Sequence, residues 1–189
     1  MMNLPTDYGY VILTGIGAIF MVMWKGFKVG QARKKYEVPY PDMYSKESKI
    51  FNCIQRAHQN TLENLPQFFF LLTMAGFSYP RLSAAAGWVW IVGRVLYALG
   101  YSTGEPEKRM KGVVGYLGLL TLLVCSIITA IQNIWFVVLQ QLLFFYWLNM
   151  YYFSKIGNKF GQSILLPQYL QLFQIYRHGF WAVRKVYGP

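Results

Sequence analysis

A chain of 189 residues suits one domain or one small helical bundle, and at 55% hydrophobic and 13% charged it is not an ordinary soluble domain, which carries about 25% charged residues. A formal net charge of +11 would suggest nucleic acid in a soluble protein, but here the charges lie mostly between apolar runs and point to membrane topology and anionic headgroups. No zinc-finger spacing, RNP-type motif or basic helix in a soluble context supports nucleic-acid binding, and Cys53 and Cys125 read as small packing residues without partners at metal-ligand spacing.

The aromatic content of 19% suits helix ends lodged at membrane interfaces. The segment Met1 to Pro5 holds no Lys or Arg, so no cleavable signal peptide is expected. The first apolar run, about Tyr8 to Trp24, is punctuated by Gly15, Gly17 and Ala18, as where membrane helices approach closely. A basic loop is predicted next, with Lys25, Lys28, Arg33, Lys34 and Lys35, and Pro39 and Pro41 close off any helix there.

The second run, about Ile50 to Phe77, is polar in its first half and apolar from Phe68, with a kink predicted at Pro66. Ser78 to Arg81 join it to the third run, about Leu82 to Tyr101, as a helical hairpin. The fourth run spans about Val113 to Ile131. A further apolar stretch, Ile134 to Phe153, follows after only Gln132 and Asn133. One helix over 113–153 would measure about 62 Å, twice the hydrocarbon thickness. A tight hairpin is therefore predicted, in preference to a helix that leaves the membrane and lies along an interface. The tail from Ser154 is basic, without acidic residues, and reads as interfacial or poorly ordered.

The basic residues set the orientation. Loop one carries Lys25, Lys28, Arg33, Lys34, Lys35, Lys46 and Lys49, loop three carries Lys108, Arg109 and Lys111, and loop two only Arg81. Loops one and three are predicted cytosolic.

Ionisable residues inside membrane helices are costly and mark function. Arg56, Asn60 and Glu63 fall at i, i+4 and i+7 on one helical face. A guanidinium, an amide and a carboxylate in that row suit a small zwitterion; they equally suit an internal Arg56–Glu63 pair. Arg94, Tyr97 and Tyr101 share a face of the third run, either as ligand contacts or as interface anchors. Arg94 lies deeper and needs a partner, for which Glu63 is a candidate. Lys108 and Arg109 stand where the third run leaves the membrane and on their own read as topology signal and headgroup contact; helical counting from Tyr101 would put Lys108 on the same face, a count that Pro106 breaks by starting a new turn. Hydrolase, phosphate-loop, dinucleotide and zinc-helix motifs are absent.

The segments Phe51–Glu63 and Gly93–Arg109 resemble the membrane-associated eicosanoid and glutathione metabolism family, as do Tyr8-Gly9-Tyr10, Leu13-Thr14-Gly15 and Ala32–Tyr36. The resemblance implies an all-α integral membrane four-helix bundle over residues 6–131, assembled as a homotrimer, with 132–189 a divergent apolar segment and basic tail. It implies glutathione as co-substrate, no metal, and membrane lipids as surroundings. By this resemblance Arg33, Arg56, Asn60, Glu63, Tyr97 and Tyr101 contact glutathione, and Arg109 holds its sulfur as thiolate. Asn64 stands where some relatives have Tyr.

The implied reaction is attack of the thiolate on a lipophilic electrophile, leukotriene C4 synthase-type conjugation included, or on a lipid hydroperoxide. A non-catalytic lipid-binding scaffold of the same family is the competing expectation, and a small channel a third; runs one and four are too apolar for the latter. The resemblance also implies a multi-pass protein of the endoplasmic reticulum or outer mitochondrial membrane.

Overall fold

The computed structural model describes residues 4–159, and the tail reading from residue 160 onward lies outside them. Every regular element among the described residues is helical: α1 (Tyr8–Lys35), α2 (Lys49–Ser78), α3 (Pro80–Tyr101), a 3-10 helix (Pro106–Gly112) and α4 (Val114–Lys159). The expected all-α class is what the chain forms.

Local chemistry places most boundaries. Helix α1 runs past Trp24, because Lys25 to Lys35 contains good helix formers and no proline, and it ends with Arg33, Lys34 and Lys35 on the negative end of its dipole. The predicted basic loop is thus largely helix, and Lys25 sits inside it at 3% exposure. Ser48 caps α2 by accepting from the Phe51 amide at 3.2 Å. Pro66 lies within α2 without ending it. Tyr79 alone separates α2 from α3, and Pro80 opens α3 where its missing N–H costs nothing. Pro106 starts the 3-10 helix in the same way.

The expected hairpin at Gln132 and Asn133 is not formed. Both residues lie inside α4, which is 46 residues long. No glycine or proline stands between Gly118 and Gly157, so the sequence offers nothing to reverse the chain there. At 1.5 Å per residue α4 measures about 69 Å, so no single crossing of a hydrocarbon core roughly 30 Å thick buries all of it.

Two compact units divide the chain near Thr129. In Leu4–Thr129, α1, α2 and α3 pack pairwise. Their shared core centres on Phe68 stacked on Trp90, ring centroids 3.9 Å apart, with Leu72 and Leu122 beside them. Glycine lets α1 and α3 meet, since a Cβ on Gly87 would stand 2.6 Å from the Thr14 methyl. The Ser126 hydroxyl donates to the Leu71 carbonyl of α2 at 3.1 Å. In the second unit, Phe144, Trp147 and Tyr151 stack in a row along α4 at 6.3 and 5.7 Å.

Large apolar side chains are exposed along the outer faces, among them Phe20, Phe27, Leu117 and Leu142. So much exposed apolar surface is untenable in water and ordinary in lipid. Helices α1, α3 and α4 through Tyr152 have the length and hydropathy to cross a membrane. Helix α2 has the length, but its polar first half lowers its hydropathy.

Candidate functional site

The α2 row forms as its spacing predicts. Arg56 donates to both carboxylate oxygens of Glu63, at 2.7 and 3.3 Å, and the two side chains stay about half exposed. Of the two readings open for this row, the internal pair is present. Asn60, between them, accepts from Arg94 of α3 at 2.8 Å. The partner of Arg94 is therefore Asn60 and not Glu63. The reason is depth: Arg94 is 5% exposed in the helix interface, and Glu63 lies on the outer side of α2.

From Arg94 the contacts run along α3 to the end of the bundle. The guanidinium carbon lies 5.8 Å from the Tyr97 ring centre. Tyr97 meets Tyr101 edge to face at 5.6 Å, and Arg109 covers the Tyr101 ring at 5.9 Å. Asn60, Arg94, Tyr97, Tyr101 and Arg109 thus form one connected row across α2, α3 and the 3-10 helix. Lys108 turns away and pairs with Glu105 at 2.6 Å. Arg109 itself is exposed.

Glycines bring the 3-10 helix onto α3. A Cβ on Gly100 would stand 2.1 Å from the Lys108 carbonyl oxygen, and one on Gly112 would stand 2.5 Å from the Tyr97 Cβ. Beyond it, Gly93 faces Gly115 backbone to backbone, and Gly118 faces the Ala86 carbonyl. This seam fixes where Arg109 stands, and the sequence reading did not single it out. Gly93 and Gly100, seven residues apart on one helical face, were the available signal.

Arg33 is fastened to the α1–α2 connection. It donates to the Asp42 carbonyl at 2.7 Å and packs over the Tyr40 ring at 4.3 Å and the Phe51 ring at 5.5 Å. Its described contacts do not join it to the Arg56–Arg109 row. Among the described residues no group of three or more His, Cys, Asp or Glu side chains gathers at metal-binding distance.

The exposure of the Arg56–Glu63 pair limits its strength. A double-mutant cycle on Arg56→Gln and Glu63→Gln, read by thermal unfolding in detergent, is expected to give a coupling of about 0–1 kcal/mol. Coupling of several kcal/mol would mean that the pair holds helices together and is not free to meet a ligand.

An all-helical bundle with three membrane-capable helices and an arginine-rich polar row at one end defines a multi-pass membrane protein. Its sequence matches the MAPEG family over residues 11–131, and the chain belongs to that family. It is 42% identical over 100 residues to human microsomal glutathione S-transferase 2, covering 51% of this chain and 66% of that protein. The mouse protein of the same name is 39% identical over 98 residues, 51% of this chain and 65% of the relative. An uncharacterized protein of Synechocystis is 38% identical over 108 residues, 56% of this chain and 77% of its own length. The chain thus spans just under two thirds of the length of these human and mouse transferases.

Proposed function

We propose that the protein is a membrane glutathione transferase that ionises the thiol of glutathione for attack on electrophiles dissolved in the bilayer. The observation that carries this reading is the exposed Arg109 guanidinium over Tyr101, at the end of the row from Asn60, while Lys108 is tied to Glu105. Family membership and the names of the human and mouse relatives support it. Within the family, Phe51–Glu63 and Gly93–Arg109 resemble microsomal glutathione S-transferase 3.

In this reading Arg56 and Arg33 meet the carboxylates of the tripeptide, Glu63 its ammonium, and Asn60 its backbone. Tyr97 and Tyr101 hydrogen-bond along its length. A thiol of cysteine type has a pKa of about 8.5 and is a weak nucleophile until ionised. Arg109 stays charged at any accessible pH, so it favours the thiolate throughout. The thiolate attacks an epoxide carbon; the C–S bond forms, the C–O bond breaks, and the alkoxide takes a proton from solvent. Attack on a lipid hydroperoxide would instead release the alcohol and leave a sulfenic acid, which a second glutathione converts to the disulfide and water.

The row runs from buried Arg94 out to exposed Arg109, and Glu63 is exposed beside it on a lipid-facing protomer, which supports a site completed by a neighbouring copy in a homotrimer. A lipid-binding scaffold without catalysis is the alternative, and retention of Arg56, Asn60, Glu63, Tyr97, Tyr101 and Arg109 weighs against it. We place the protein in the endoplasmic reticulum or outer mitochondrial membrane on the same family grounds.

The test is turnover. Membranes containing the protein are expected to convert glutathione and a lipid epoxide to a thioether, followed by mass spectrometry, above membranes lacking it. Equal rates in the two would support the scaffold.

A further inference from the structure

A pocket of about 170 Å³ lies between α1, α2 and α3 near the end of α3. Its polar lining is Lys25, Lys28, His58 and Ser102, and Trp24 and Leu99 belong to its apolar wall. None of the residues that form the Arg56–Arg109 row lines it.

The charges in this region do not balance. Lys25 is 3% exposed, and its ammonium donates to the Thr61 hydroxyl, a neutral group that itself donates to the Ala57 carbonyl at 3.0 Å. An ammonium has three donors, and a buried one is strongly unfavourable without an anion. The Nδ1 atom of His58 is buried without a hydrogen-bond partner. The pocket lining contains no Asp or Glu. Two cations, Lys25 and Arg94, are buried among the described residues, and no acidic side chain is buried with them. Glu63, Glu105 and Asp7 are engaged with Arg56, Lys108 and Arg81, and the other carboxylates, Glu37, Asp42, Glu47 and Glu107, do not line the pocket. An anion brought in from outside the described residues would offset the buried ammonium.

We propose that this pocket is a separate ligand site for the carboxylate of a single-chain amphiphile, of which a fatty acid is the simplest member. The carboxylate accepts from Lys25 and from the ring N–H of His58, and Lys28 stands at the rim. The acyl chain leaves along Trp24 and Leu99. Two observations select an amphiphile over a free anion. The cations share the pocket with apolar walls on α1 and α3, both helices able to cross a membrane. The volume is also below the roughly 300 Å³ that houses a drug-sized ligand, so a headgroup with its first methylenes fits and a tripeptide does not.

The test uses the purified 189-residue chain in an uncharged detergent, with oleate displacing a fluorescent polyene fatty acid. Oleate is expected to displace the probe, methyl oleate at least tenfold less well, and inorganic phosphate or glutathione at millimolar concentration not at all. Lys25→Met, which keeps the bulk and removes the charge, is expected to weaken oleate at least tenfold and leave the glutathione titration unchanged. Ser102→Glu, which supplies an internal anion, is expected to do the same even where Lys25→Met does not purify. The proposal is overturned if methyl oleate competes as well as oleate, or if either variant binds oleate like the parent. It is also overturned if glutathione or phosphate displaces the probe, which would make the pocket part of the tripeptide site or a general anion site.

Discussion

Arg109→Ala is expected to lower conjugation turnover by one to two orders of magnitude while glutathione still binds. Arg109 stands exposed over Tyr101, free of any ion pair with the described acidic residues, whereas the neighbouring Lys108 is paired with Glu105. Loss of one charge-assisted contact costs about 1.5–3 kcal/mol, and each 1.4 kcal/mol is about tenfold. Because the proposed contact is to the sulfur, the loss should fall on kcat and thiolate yield more than on half-saturation. Lys108→Ala removes only an exposed i,i+3 pair with Glu105 and should leave turnover within about twofold. If Lys108→Ala is the inactive variant and Arg109→Ala is not, the thiolate cation has been assigned one residue too late.

Gly100→Ala should cost nearly as much activity without removing any charged group. Helix propensity alone would make this change stabilising by up to about 1 kcal/mol. Sterics oppose it, since the new methyl would stand 2.1 Å from the Lys108 carbonyl oxygen and 3.6 Å from the Arg109 amide nitrogen. Backbone cannot rotate away as a flexible side chain does, so the 3-10 helix must move by about 1 Å, at an overpacking cost of about 1–3 kcal/mol. A displacement of about 1 Å at a reacting group costs roughly a hundredfold in rate. Turnover should fall by that order, with membrane insertion intact. Gly9→Ala is the control, because a Cβ there meets nothing within 4 Å. Full activity in Gly100→Ala would mean that Arg109 does not depend on the seam.

The helices were legible where apolar runs end in strong local signals. Pro106 was legible as the start of a new turn, whereas Pro80, read as part of the link, and Ser48, not singled out, also open helices. Two readings failed for related reasons. Lys25 to Lys35 looks like a loop if charge is taken as the opposite of helix, but Lys, Arg and Gln are good helix formers, and the helix ends only at Tyr36, where Glu37 turns left-handed at φ 55°. The hairpin after Ile131 was inferred from bilayer thickness, whereas the local sequence contains no residue that turns the chain.

Spacing placed Arg56, Asn60 and Glu63 on one face, and Arg94, Tyr97 and Tyr101 on another. It did not reveal that Asn60 reaches Arg94, because that depends on how deeply each side of α2 is buried. The closeness of Arg109 to Tyr101 likewise depends on backbone contact at Gly100 and Gly112, which counting along a helix does not register.

Ultraviolet titration of the purified protein with glutathione, watching for thiolate absorbance near neutral pH, tests whether this chain activates the thiol. A saturable absorbance rise is expected in the parent, lost in Arg109→Ala and retained in Lys108→Ala. Saturable glutathione binding with no thiolate signal in the parent would contradict it and leave a protein that holds the tripeptide without activating it.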